Sequence, residues 1–215
     1  YKATPKDKEF FEQTLSAALK EALAHRGFLL LSLGFFVCGF HVAFISVHFP
    51  AYVNDLGLDP IVGAYAISII GLFNIIGSFL AGLAGQRWSK KYSLSFIYFT
   101  RAIVIAILLL SPKTALTIYL FSAAMGILWL ATVPLTSGIV VQVFGLRYMA
   151  TLTGLVFFSH QIGSFIGVWL GGYLYDTIGS YDPVWWAGII LGVLAAVIHI
   201  PIDEQPMDRL VKSPT

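Results

Sequence analysis

Apolar and polar positions alternate along this chain on a long period, with uncharged stretches separated by short polar turns. Five stretches contain no Asp, Glu, Lys or Arg: 27–53, 60–86, 114–146, 148–175 and 183–202. A sixth, 92–111, is interrupted only by Arg101. A helix needs about 20 mainly apolar residues to cross a bilayer. Because a helix satisfies its own backbone hydrogen bonds in hydrocarbon, the pattern predicts six transmembrane helices, numbered here in chain order as the first to sixth spans.

Residues 1–26 have a different pattern, in which charged residues lie between apolar ones. Thr4-Pro5-Lys6-Asp7 is typical of a helix start, with a capping hydroxyl, a proline in the first turn and an acid three residues after the cap. Apolar positions then recur at helical spacing: Phe11, Leu15, Leu19, Ala22 and Leu23. We predict a linker over 1–26 with an amphipathic helix that lies on the membrane or packs on the bundle, a solvated linker helix being the simpler interpretation. The bundle then covers 27–202, and a tail covers 203–215.

The composition places the chain in a bilayer. Of its 215 residues, 58% are hydrophobic and 11% are charged, whereas about a quarter of the residues of soluble domains are charged. The net charge of +2 does not indicate nucleic-acid binding, because the cations lie at the ends of the apolar stretches. The only cysteine, Cys38, excludes an internal disulfide and is interpreted as a packing residue. Because the chain begins at Tyr1, we expect a processed chain or a piece of a longer protein.

The distribution of cations predicts the orientation. Eleven of the 13 lysines and arginines flank the bundle on one side: Lys2, Lys6, Lys8, Lys20, Arg26, Arg87, Lys90, Lys91, Arg147, Arg209 and Lys212. On the other side Lys113 is the only cation. The loops there carry four acids: Asp55, Asp59, Asp176 and Asp182. Since cytoplasmic loops are enriched in Lys and Arg, we expect both termini in the cytoplasm of a multi-pass protein of the plasma or inner membrane.

Polar side chains inside the spans are the candidates for function, because they are costly in a bilayer and mark substrate or proton pathways. The candidates for substrate binding or proton coupling are His41, Asn74, Arg101, Trp129, Thr132, His160 and Gln161. His41 is favoured, because it is titratable and central in the first span. Asp and Glu are absent from the six stretches, and no phosphate-loop or zinc-protease motif occurs. We therefore expect no catalytic site, cofactor or metal.

The same residues have structural interpretations. Asn74 is equally suited to bonding a neighbouring helix, and His160 to an interhelical hydrogen bond. Arg101 lies within snorkelling reach of the boundary, which favours an interfacial position over contact with substrate. Two rows of small residues are more typical of close helix packing than of binding: Ser68, Gly71, Asn74, Ser78, Gly82 and Gly85, then Gly163, Gly167 and Gly171. Pro134 is expected to kink the fourth span.

The turn between the second and third spans carries a family resemblance. Residues 82–91 read Gly-Leu-Ala-Gly-Gln-Arg-Trp-Ser-Lys-Lys and resemble the cytoplasmic loop G-x-x-x-D-R-x-G-R-K of the major facilitator superfamily. The matching positions of this predicted gating loop are Gly82, Arg87, Lys90 and Lys91. Gln86 replaces the acid, which speaks against a charge-paired gate, and Ser89 replaces the second glycine. Segments 159–165 and 171–181 together resemble the monocarboxylate-porter-like branch.

The resemblance implies that 27–202 is the C-terminal six-helix half of a twelve-span transporter, folded as two inverted three-helix repeats, 27–111 and 114–202. It also implies that the first, second, fourth and fifth spans face a cavity whose other wall is the missing N-terminal half. The expected function is secondary transport by alternating access of a small organic solute. A small anion such as a monocarboxylate, with a co-transported proton on a histidine, fits best. The alternatives are a membrane-embedded enzyme and a self-contained six-span protein that dimerises as a channel or scaffold.

Overall fold

The computed structural model describes residues 13–211, so the predicted helix start at 4–7 and Phe11 lie outside the described part. Within these residues the chain is helical and has no strand. The helices are α1 (Leu15–Ala24), α2 (Arg26–Asp55), α3 (Pro60–Arg87), α4 (Lys90–Leu110), α5 (Ala115–Leu128), α6 (Thr132–Phe144), α7 (Met149–Ile178), α8 (Asp182–His199) and α9 (Asp208–Val211). The prediction of six spans is confirmed, since α2, α3, α4, the pair α5–α6, α7 and α8 are long and apolar enough to cross a membrane.

Short capping signals define the ends of the spans. Asp59 caps α3 by accepting a hydrogen bond from the second helical N–H at 2.9 Å, and Pro60 occupies the first helical position, where no donor is needed. At the far end of α4, Lys113 Nζ donates to the carbonyl oxygens of Leu108 and Leu109 at 2.6 and 2.8 Å. The ammonium thereby satisfies carbonyls that the helix end leaves free and complements its negative pole.

The first span packs against the fifth through glycines. A Cβ built on Gly163 would lie 2.0 Å from the carbonyl oxygen of Phe36, and one built on Gly39 would lie 1.9 Å from that of His160. Only glycine lets two helix backbones approach this closely. The packing interpretation of the glycine row in the fifth span is therefore confirmed.

The second and fourth spans also meet at a glycine. A Cβ on Gly77 would lie 1.8 Å from the carbonyl oxygen of Ile127. By contrast, a Cβ built on Gly71 or on Gly82 would have no heavy atom of the described residues within 4 Å, apart from its own helix and chain neighbours. These two glycines therefore make no close helix contact within the described part of the chain, where their face of α3 is open, and their packing interpretation stays a prediction.

His199, which the sequence pattern did not single out, joins the first, third and sixth spans. Its ring stacks on Tyr98, with centroids 5.0 Å apart and planes at 22°, and Nδ1 donates to the Ala195 carbonyl oxygen at 2.7 Å. Gly34 leaves the room for this ring, because a Cβ there would lie 2.0 Å from His199 Cε1. A buried polar ring is thus accommodated between helices by one small residue.

α1 packs on the end of the bundle that bears residues 87–91, called here the basic end. Ala22 is fully buried in the apolar core, so the solvated-linker interpretation is wrong for the described part of this helix. Glu21 forms an ion pair with Arg209 at 3.1 Å, and Arg209 Nη2 donates to the Phe144 carbonyl oxygen at 2.7 Å. These contacts tie α1 and the tail to the end of the fourth span.

Candidate functional site

The fourth span is broken inside the bundle. α5 ends at Leu128 and α6 begins at Thr132. Pro134 has no N–H to donate to the Leu130 carbonyl, so a continuous helix would lack a hydrogen bond at this level. The expected kink at Pro134 is in fact a break centred on residues 129–131. Backbone groups freed in hydrocarbon require other partners, and two neighbouring spans supply them.

Arg101 of α4 binds the carbonyl oxygens at the break. Its Nε and Nη2 donate to Leu128 O at 3.2 and 2.5 Å, and Nη2 also donates to Trp129 O at 2.5 Å. The side chain is 0% exposed, so the expectation that Arg101 snorkels to the boundary is wrong. The guanidinium presents several N–H donors in a fixed fork, which suits two adjacent carbonyls.

Asn74 of α3 also binds the break. Its Oδ1 accepts hydrogen bonds from Leu130 N at 3.0 Å and from Ser78 Oγ at 3.2 Å. The bond to a neighbouring helix that we considered for Asn74 is therefore confirmed, whereas contact with a solute stays a prediction. Trp129, another candidate, lies in the break itself and packs half-buried against the apolar core.

A buried polar cluster adjoins the break. Cys38 Sγ and Thr132 Oγ1 are 3.2 Å apart, and both side chains are fully buried. The thiol also lies within interaction range of the His160 side chain. Because Thr132 is the first residue of α6, the cluster links the restart of the fourth span to the first and fifth spans. Cys38, interpreted above as a packing residue, thus has polar partners.

His160 extends this cluster to the exposed face of the fifth span. Its ring is half-buried, with its centroid 4.9 Å from that of Phe35. Nδ1 contacts Gln161 Oε1 at 3.2 Å and Ser164 Oγ at 3.4 Å, and Gln161 is exposed. An imidazole beside an amide and a hydroxyl can donate and accept hydrogen bonds, which suits a small polar ligand.

A depression beside His160 was missed by the sequence reasoning. It is open to the surface, has a volume of about 520 Å³ and is lined by Ala43, Ser164, Phe165, Val168 and Trp169. Ser164 belongs both to this wall and to the contacts of His160. Trp169 stacks on another exposed aromatic four residues later, with centroids 5.5 Å apart, and this spacing is the signal that could have revealed the site. Apolar walls with one polar edge are typical of sites for small organic molecules.

His41 lies apart from these residues. Its Nε2 donates to the Gly188 carbonyl oxygen of the sixth span at 2.8 Å, and the side chain is 2% exposed. The expectation that His41 faces a cavity is therefore wrong, since the ring points to a neighbouring span. Its Nδ1 is buried without a hydrogen-bond partner among the described residues. A role for His41 in proton coupling stays a prediction.

A carboxylate of the C-terminal tail, Glu204, binds the basic loop. Glu204 accepts hydrogen bonds from Ser89 Oγ and from Lys91 N, both at 2.8 Å. Lys90 Nζ donates to Gln142 Oε1 at 2.7 Å, and Gln142 Nε2 donates to the Glu204 carbonyl oxygen at 2.9 Å. A carboxylate at the first N–H groups of α4 stabilises that helix end. The tail thus provides the negative charge that the loop itself lacks.

Arg87 and Gly82 stand outside this network. Arg87 is exposed, and the ion pair found within residues 13–211 does not involve it. Gly82 lies on the open face of α3. A gating role for the loop stays a prediction. In the same part of the chain, no three His, Cys, Asp or Glu side chains are grouped as a metal site would require.

Comparison with known proteins adds the family. Residues 31–215 match the family model described as Major Facilitator Superfamily. The uncharacterized MFS-type transporter YcxA of Bacillus subtilis is 28% identical over 82% of this chain and 44% of its own length. Monocarboxylate transporter 13 of Rattus norvegicus is 24% identical over 92% of the chain and 49% of its length. Monocarboxylate transporter 12 of Mus musculus is 28% identical over 94% of this chain and 45% of its own length. The chain therefore spans less than half the length of these relatives.

Proposed function

Because the chain belongs to the Major Facilitator Superfamily, we propose that the protein is a secondary transporter and that this chain forms one half of its membrane domain. The relatives are more than twice as long as the matched part, which favours a missing half over a self-contained channel or scaffold. Membership of a transporter family also argues against a membrane-embedded enzyme. Alternating access then requires that this bundle present a solute site to its missing partner.

The proposed solute is a small organic anion such as a monocarboxylate. The observation that carries this proposal is the half-buried His160, with Gln161, Ser164 and an apolar depression beside it. The buried Arg101 is the only Lys or Arg within the six apolar stretches, and these stretches contain no Asp or Glu to balance it. A site with this charge favours an anion over a cation. The relatives named as monocarboxylate transporters support the same class of solute.

In this proposal the candidate residues have two kinds of role. His160 and Gln161 contact the solute, while Asn74, Arg101 and Thr132 act indirectly by positioning the break in the fourth span. Protonation gives His160 a positive charge, so anion binding and proton binding at this residue would strengthen each other. We further propose that the basic end faces the cytoplasm of a plasma or inner membrane.

Uptake by the full-length protein tests the site. His160→Gln keeps hydrogen-bonding groups but cannot titrate. We expect its KM for small monocarboxylates to rise about fivefold, because a hydrogen bond from an imidazolium becomes a weaker one from a neutral amide, and its pH dependence to disappear. The corresponding neutral amides serve as control solutes and should not be transported. A His160→Gln protein with unchanged KM and pH profile would refute this site.

His41→Gln is the matched variant for the second histidine. Because the His41 ring is sealed against the sixth span, we expect a KM close to that of the wild type. Loss of pH-driven accumulation in His41→Gln, with His160→Gln still responsive to pH, would instead place proton coupling at His41.

A further inference from the structure

An apolar groove runs along the outside of the bundle between the second, third and fourth spans. It is open along one side and has a volume of about 870 Å³. Its walls include Leu80, Ala84, Phe96, Ile97, Leu128 and Ala131. Leu128 precedes the break in the fourth span and Ala131 lies within it, so the groove is lined in part by the segment that Arg101 and Asn74 hold in place.

The length of the groove matches one leaflet of a bilayer. Along α3 its lining extends from Arg87 to Gly77. Ten helical residues rise about 15 Å at 1.5 Å per residue. The hydrocarbon core of a bilayer is about 30 Å thick, so the groove reaches from the membrane surface to its middle.

The mouth of the groove carries groups suited to a lipid headgroup. Arg87, Trp88 and Tyr92 line it at the basic end and are exposed. The tail carboxylate of Glu204 is engaged by Ser89 and by the backbone of the loop, so the Arg87 guanidinium is left without an acid among the described residues. Trp and Tyr side chains are enriched at the headgroup level of membrane proteins.

We propose that this groove binds one anionic phospholipid of the cytoplasmic leaflet, with an acyl chain along its apolar walls and the phosphate at Arg87. The assignment rests on the proposed orientation, in which the basic end is cytoplasmic. The cytoplasmic leaflet carries anionic lipids, which complement an unpaired cation at the mouth. A transmembrane helix of the missing half is the alternative occupant, and the experiments below distinguish it from a lipid.

Native mass spectrometry of the full-length protein, with phosphatidylglycerol and phosphatidylcholine added at equal concentration, tests the proposal. We expect the wild type to retain one phosphatidylglycerol in preference to phosphatidylcholine. Arg87→Gln should lower this preference about fivefold, the effect of one cation near an anionic membrane surface. Arg147→Gln, which removes another exposed cation at the basic end, is the matched control and should leave the preference unchanged. Equal retention of both lipids by the wild type, or equal effects of the two substitutions, would overturn the proposal.

Filling the groove provides a second test that is independent of charge. Ala84→Trp should lower retention of both lipids, whereas Leu72→Trp, on an exposed part of the same helix outside the groove, should not. A phosphatidylglycerol with a photoreactive acyl chain should label residues 77–97 in the wild type. Labelling only elsewhere would mean that a protein segment or a second copy fills the groove, and the lipid assignment would be wrong. Failure of the proposed orientation would be recognised separately, by thiol labelling of the two ends.

Discussion

Replacing Arg101 by methionine tests how the break in the fourth span is stabilised. The substitution keeps a long flexible side chain in a fully buried position and removes the donors that bind Leu128 O and Trp129 O. No water reaches the middle of the bilayer to replace them. We therefore expect Arg101→Met to destabilise the bundle by loosening the restart of the helix.

The size of the effect follows from the two carbonyl groups. A buried acceptor left without a donor costs about 1–3 kcal/mol, so two cost about 2–6 kcal/mol. Removing the buried charge offsets part of this free-energy cost, because holding an ion in a low-dielectric interior is itself unfavourable. We expect a net loss of about 3 kcal/mol, or roughly 10 °C in the unfolding midpoint for a domain of this size. Arg101→Lys should lose about half as much, because an ammonium cannot span both carbonyls as a guanidinium does.

Cys38 provides the assay. It is the only cysteine in the chain, it is fully buried, and its thiol contacts Thr132 at the restart of the helix. The rate of maleimide labelling during a temperature ramp therefore reports opening at the break. Arg147→Met removes an exposed cation and should leave the midpoint unchanged. If Arg101→Met labels and unfolds like the wild type, the carbonyl contacts do not stabilise the break and the reasoning is refuted.

Three further predictions concern packing, the tail and topology. In a detergent-solubility screen, Gly163→Ala should abolish stable expression, because its Cβ would lie 2.0 Å from the Phe36 carbonyl oxygen. Gly154→Ala is the control and should express normally, because its Cβ would meet no neighbouring atom of the described residues within 4 Å. Glu204→Gln should lower the unfolding midpoint by the equivalent of about 1 kcal/mol, since it weakens the cap on α4, and an unchanged thermal curve would contradict that role. Thiol labelling of intact cells should reach a cysteine at Ile178 from outside and one at Gln86 only after permeabilisation; the reverse pattern would invert the proposed orientation.

The sequence alone determined the number and approximate limits of the spans, and the residues of the basic loop indicated the family. Both are properties of one segment at a time. An uncharged stretch of about 20 residues is long enough to cross the bilayer as a helix whatever its neighbours are, because a helix satisfies its own backbone hydrogen bonds. The glycine row of the fifth span was interpreted correctly for the same reason, since residues without side chains on one face permit close approach of any helix.

Only the tertiary structure decided which partner each polar side chain meets. The periodicity of a helix places His41 and His160 on faces of their own spans, but it does not say which helix lies opposite. Packing seals the first against the Gly188 carbonyl and leaves the second partly exposed. Arg101 was expected at the boundary because its distance from the helix end was the only measure available in the sequence. Its true partners are carbonyls set free in another span, and such partners exist only once Pro134 has interrupted that helix and the bundle has assembled around it.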